Sequence, residues 1–127
     1  MKIISFAWTT DAIKARRKKS TRRDCGDTYA SLFHKGELVQ AWDRDPRVGG
    51  QRIGTIRLTA DPYKESANQM SVFDWEDEGF AYMTEIGKGE AIKRIWEKLM
   101  NSPKQLWVVR FEIVDIYPAA GGERNEN

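Results

Sequence analysis

Cysteine and histidine are almost missing from this chain: Cys25 and His34 are single copies in 127 residues. A lone cysteine excludes an internal disulfide. With one histidine beside it, a tetrahedral zinc site of Cys and His ligands cannot be assembled within one chain. Oxygen-ligated metal is unsignalled, so no metal or other cofactor is expected. No apolar stretch approaches the roughly 20 residues of a membrane span, and Met1-Lys2-Ile3-Ile4-Ser5-Phe6-Ala7-Trp8 is too short for a signal peptide. The expectation is a cytoplasmic protein with no membrane partner. Gly87-Lys88-Gly89 lacks the rest of either nucleotide-binding fingerprint and reads as a break between helices. A net charge of only +2 does not, taken in bulk, identify nucleic acid as a partner.

The distribution of charge is more informative than its sum. From Asp11 to Asp24 seven cations stand against two acids, whereas Asp74 to Glu85 holds five acids and no cation. The two poles belong to one functional surface or neutralise each other across one. Within the first, Arg16-Arg17-Lys18-Lys19-Ser20-Thr21-Arg22-Arg23 is too densely charged to be buried unpaired, so it is expected at the surface or along an open cleft. The bland alternative is a set of cations at the negative pole of a short helix. Five Trp, four Tyr and five Phe exceed what a core of this size needs, which leaves rings for a ligand.

The length suits one domain with a real hydrophobic core. Residues 1–118 are assigned to it, and 119–127, rich in Gly, Glu and Asn, to a flexible tail. Ile3 to Trp8 reads as a buried strand, and Thr9 or Thr10 can cap a short helix running to about Arg17. The chain then continues extended through Arg23, turns at Asp24-Cys25-Gly26-Asp27, and makes a helical turn over 28–34. Strands over 37–43 and 52–60 flank the turn Asp45-Pro46-Arg47-Val48-Gly49-Gly50 and form a hairpin, with Val39 and Ala41 facing opposite to Leu38, Gln40 and Trp42. Residues 61–69 are polar, contain Pro62, and are expected to be a loop. A helix over 72–86 is interrupted at Gly79. In the helix over 90–100, Ile92, Ile95, Trp96 and Leu99 make a core-facing stripe. Leu106 to Tyr117 is the strongest strand. The pattern predicts an α+β fold, a small mixed β-barrel with short helices around it.

A glutamate near a lysine and a threonine is chemically useful: the carboxylate can take a proton, the ammonium can stabilise an oxyanion, and the hydroxyl can attack or position water. Spacing alone does not select such a set. Lys18-Lys19-Ser20-Thr21-Arg22-Arg23, after a strand and a helix, resembles the Lys-Thr-x-Thr-x-Arg signature of ASCH domains in the PUA-like superfamily. Glu78-Gly79-Phe80 resembles their Glu-Gly-aromatic segment, and Val108-Val109-Arg110-Phe111-Glu112 their closing strand. The resemblance spans about residues 3 to 116 and implies a PUA-like barrel with a cleft for RNA or modified nucleosides.

In small bacterial members that hydrolyse acetylated cytidine, the signature's lysine, the threonine three residues on and a helical glutamate are functional. They correspond here to Lys18, Thr21 and Glu78 as implied catalytic residues, with Glu76 and Asp77 as competing acids. Lys19 replaces the usual first threonine and Arg16 a frequent glycine, so Lys18 or Lys19 could be the inward lysine; the spacing to Thr21 favours Lys18. Arg16, Arg17, Lys19, Arg22 and Arg23 are candidate phosphate contacts, one of the last two turning instead to an internal acid. Trp8, Trp75 and Phe33 are candidates for stacking on a base, with core packing as the competing fate. Cys25 is expected to be a passive turn residue. The functions implied are binding of RNA or a modified nucleotide, hydrolysis of an acylated nucleoside, or a metal-independent ribonuclease. A non-catalytic protein-interaction module is the alternative from another class.

Overall fold

The structure, a computed structural model, describes residues 1–118; the expected tail at 119–127 lies outside the described residues. The fold is a mixed α+β half-barrel built around one long strand, β6 (Gln105–Ile116), as the run of β-branched and aromatic residues there dictates. Three antiparallel neighbours share it. β4 (Arg52–Leu58) pairs with its second half, while β2 (Ser20–Arg23) and β5 (Tyr63–Ser66) both pair with Trp107 and Val108 and therefore lie on opposite edges of it. β3 (Leu38–Trp42) joins β4 as the predicted hairpin, and β1 (Ile3–Ser5) closes the order β1-β3-β4-β6-β2 by running parallel to β3. Register shifts at Ala41/Trp42 and Thr55/Ile56 are bulges, which bend and twist a strand and so help the sheet curl.

The concave face carries the main core. Val39 and Ala41 are fully buried and pack with Ile4, Phe6, Phe33, Ile56, Val109 and Phe111, as the alternation along β3 predicts. Phe33 is thus a core residue and not a stacking surface. A second core lies under the helices: Ala12, Met70, Phe80, Met83 and Ile92, with Ile95, Trp96 and Leu99 of the predicted stripe packed against it. Apart from Met70, which follows a 3-10 turn, those side chains come from α1 (Thr10–Lys14), α4 (Phe80–Met83) and α5 (Gly89–Met100). None of the described helices is long and apolar enough to cross a membrane.

Four expectations are corrected. The first strand ends at Ser5, because Ala7 takes a left-handed backbone (φ 46°) and starts a 3-10 turn through Thr9. Neither Thr9 nor Thr10 caps α1; their hydroxyls donate back to the Phe6 and Ala7 carbonyls at 2.9 and 2.7 Å. That helix stops at Lys14, short of Arg17, and Arg16 (φ 61°) reverses the chain into β2. The expected loop over 61–69 contains β5, followed by a 3-10 turn over Ala67–Gln69. Its residues, Tyr63-Lys64-Glu65-Ser66, have no apolar alternation, and the ladder to β6 supplies what local pattern does not.

Between β5 and α5 the chain makes α3 (Asp74–Asp77), breaks at Gly79 as predicted, makes α4, and passes through a π-type turn at Thr84–Lys88. Gly79 is obligatory on two counts: its φ is 89°, and a Cβ there would stand 2.6 Å from the Ala12 Cβ. Gly79→Ala is expected to destabilise the fold by about 2–4 kcal/mol, through left-handed strain plus overpacking. The midpoint of urea unfolding measures it, and an unchanged midpoint would show that the α1–α4 contact yields freely.

Candidate functional site

Alternation along β2 divides the cationic block between two faces. Ser20 and Arg22 face the helices; Thr21 and Arg23 face the opposite way, toward β1 and the barrel mouth. The segment before β2 is fastened to the acidic one by main chain, the Lys19 N–H donating to the Asp77 carbonyl at 2.6 Å. That bond, with the left-handed turn at Gly79, delivers Glu78 from the end of α3 into the space beside Lys18.

Glu78 is buried and held from two sides. Its Oε2 accepts from Ser20 Oγ at 2.6 Å and from Arg22 Nη1 at 2.8 Å. Its Oε1 faces the Lys18 ammonium at 3.8 Å, and Lys18 Nζ also donates to the Glu78 carbonyl at 2.6 Å. Lys18 is only 2% exposed, and Lys19 is exposed, so the inward lysine is Lys18. Burial pulls the Lys18 pKa down to about 8, against the opposing pull of the Glu78 carboxylate. Thr21 is buried as well, on the strand that carries Ser20 and Arg22. The three implied catalytic residues line one cleft of about 250 Å³, with Trp8 and Phe80 forming part of its wall. Trp8, half exposed, stacks on Phe80 with ring centres 5.9 Å apart and planes 20° from parallel.

The remaining candidates are distributed differently. Arg22 points inward and bridges Glu65 and Asp74, each at 2.7 Å, as well as Glu78. Asp74, also buried, accepts a second guanidinium from Arg110. Arg17 is clasped by Glu76 and Glu85 at 2.9 and 2.8 Å, which also removes Glu76 from the competition for the cleft. Asp77 faces Arg110 at 3.5 Å. Arg16 and Lys19 line a second hollow beside Arg110, which Lys18 also borders. Trp75 stands edge-on to Phe80 and Trp96 in the second core and is outside the cleft. Cys25 is half-buried, and burial raises its thiol pKa, the opposite of an activated nucleophile. Arg23 alone of the arginines in the block turns toward the cleft and the barrel mouth without a carboxylate partner.

Sequence reasoning missed Ser20, Glu65, Asp74 and Arg110 as partners of the site. For Ser20 the signal was available, since it shares a strand face with Arg22. Glu65 was hidden because β5 was not recognised.

No family model matches the chain, and no curated protein does. Among solved structures it is similar to protein EF3133 from Enterococcus faecalis V583, described as DUF984, with a TM-score of 0.55. The superposition covers 93% of this chain and 79% of that one, at 20% identity. The likeness is one of fold. It agrees with the expected PUA-like architecture of a curled α+β half-barrel with short helices.

Arg22 neutralises the acids that face it, so Arg22→Met should leave buried carboxylates uncompensated and cost about 3–5 kcal/mol. Urea unfolding at neutral pH checks this. A loss under about 1 kcal/mol would mean that water, and not Arg22, carries these acids.

Proposed function

We propose that the protein hydrolyses an acyl amide borne by a nucleobase-like ligand in the cleft of Lys18, Thr21 and Glu78, the activity that the ASCH resemblance implies for these positions. The observation that carries the reading is the pairing of a desolvated ammonium with a buried carboxylate, 3.8 Å apart, on a cleft that Thr21 also lines. Ser20 and Arg22 fix Glu78 by Oε2, which leaves Oε1 free for chemistry.

A water attacking the amide carbon gives its proton to Glu78 Oε1 as the new C–O bond forms. The carbonyl electron pair moves onto oxygen, where the Lys18 ammonium stabilises it in a site of low polarity. Collapse of this intermediate breaks the C–N bond, and the amine leaves with the proton returned by Glu78. The products are the free amine and a carboxylic acid. Thr21 positions the water, or attacks in its place and forms an ester that water then cleaves. Trp8 on Phe80 offers a flat surface for the base.

A small modified nucleoside or nucleotide fits this geometry better than a long RNA footprint. Arg17 and Arg22 are taken by internal acids, and the exposed Arg16 and Lys19 line a different hollow. A polymer would need several free cations along one path.

Acetylcytidine, supplied with a chelator present, should be turned over to cytidine and acetate. Lys18→Ala and Glu78→Gln should each reduce kcat/KM by about a hundredfold or more. Because the reaction uses protonated Lys18, kcat/KM should fall as pH rises through about 8. Turnover that survives both substitutions, or that stays flat to about pH 10, would sink the mechanism. Lys18→Met is expected to abolish turnover while lowering the melting temperature by less than Arg22→Met does, since Glu78 loses one cation but keeps Ser20 and Arg22.

A further inference from the structure

The cleft does not stop at Thr21. Ser5, Arg22 and Arg23 line both it and a larger groove of about 630 Å³ at the barrel mouth, walled by Trp107 and Tyr29. The cleft by itself, at about 250 Å³, is smaller than the roughly 300–1,000 Å³ of ordinary small-molecule sites, and the groove falls within that range. A ligand whose base fills the cleft continues past Arg23 into the groove.

Arg23 is in an unusual electrostatic position. Its Nη2 donates to the Ser5 carbonyl and its guanidinium lies 5.5 Å from the centre of the Phe6 ring, but Nε is buried with no partner. Acids near the groove already have cations of their own: Asp24 pairs with Lys104, Asp27 with Lys64, and Asp45 with Arg47. Glu78 is held by Arg22 and Lys18. Burial accordingly pushes the Arg23 pKa down, with Glu78 only partly opposing it. A desolvated guanidinium without a carboxylate is costly to keep, and an anion arriving from the groove would complete it. Arg22 also has a buried Nε without a partner, but its two terminal nitrogens bind three carboxylates.

We infer that Arg23 takes the phosphate of the ligand, so that the substrate is a nucleotide and not a free nucleoside, its base in the cleft and its sugar-phosphate in the groove. This rests on the acyl-nucleoside reading for the base, while the phosphate site stands on Arg23 alone. The planar fork of an arginine suits a phosphate's paired oxygens, and charge-assisted hydrogen bonds of this kind are the strong ones.

The test compares binding of cytidine, cytidine 5′-monophosphate and inorganic phosphate by titration calorimetry, at low and high salt, in the wild type, Arg23→Gln and Arg23→Lys. The monophosphate should bind about ten- to a hundredfold more tightly than cytidine, an advantage that shrinks with salt. Arg23→Gln should abolish the advantage, so that the monophosphate and cytidine bind that variant equally, and Arg23→Lys should retain a fraction of it. Equal affinities of cytidine and its monophosphate in the wild type would overturn the inference. So would an advantage that persists in Arg23→Gln, or inorganic phosphate that binds without competing with the nucleotide. Should Arg23→Gln fail to fold by circular dichroism, Arg23→Lys decides: an undiminished advantage there rejects the bidentate contact. A monophosphate advantage that depends on Arg23 but comes with no amide hydrolysis keeps the phosphate site and rejects the hydrolase. Hydrolysis of acetylcytidine with no gain from its 5′-phosphate does the reverse.

Discussion

The Glu78 carboxylate, buried between Ser20, Arg22 and Lys18, is the constraint on which the rest of this structure depends. A carboxylate withdrawn from water has to be met by donors, and each of these donors requires its own piece of architecture. Ser20 and Arg22 meet it because β2 is extended and presents alternate residues to one side. Lys18 meets it because α1 ends early and Arg16 reverses the chain. Glu78 itself arrives there because Gly79 takes a backbone that closes α3 against Ala12. The departures from regular helix and strand in this part of the fold converge on one carboxylate.

The cost of that arrangement is distributed across a network. Three cations, Lys18, Arg22 and Arg110, face the four acids Glu65, Asp74, Asp77 and Glu78, and among the buried members Lys18 and Arg22 match Asp74 and Glu78. Cancellation is what permits burial, because ion pairs in a protein interior recover their desolvation only when their hydrogen bonds are completed. Arg22 does most of this, with its two terminal nitrogens on three carboxylates. Lys18 is the member least satisfied, holding one carbonyl closely and its carboxylate at 3.8 Å. A lysine kept in that condition, desolvated and with its pKa lowered to about 8, is the feature on which the proposed hydrolysis rests.

Much of the fold was legible in the chain because it follows from periodicity. The β3–β4 hairpin, the long β6, the stripe on α5 and the break at Gly79 all come from patterns with a physical cause at short range. The parts that were not legible depend on partners distant in sequence. β5 is a strand only because β6 has a free edge, and Glu65 enters the network only because β5 exists. Arg110 reaches Asp74 from 36 residues away, a pairing that no local window contains. For the candidate site, the resemblance pointed to Lys18, Thr21 and Glu78, which the fold brings to one cleft, whereas the clasp by Ser20 and Arg22 had to be seen in three dimensions.

The two charged poles, so conspicuous along the chain, turn out to fold largely onto each other. Arg17 closes on Glu76 and Glu85, Lys18 on Glu78, and Arg22 on Asp74 and Glu78. Charge density is therefore a poor guide to what this surface offers a ligand, because most of the density is consumed internally. What matters is the residue that the neutralisation leaves out. Every acid in the second pole from Asp74 to Glu85 pairs with a cation, several of them sharing one, and none pairs with Arg23. The alternation of β2 is the reason: it turns Arg22 toward the acids and Arg23 away from them. One residue of register therefore separates a structural arginine from one whose charge is left to be answered from outside.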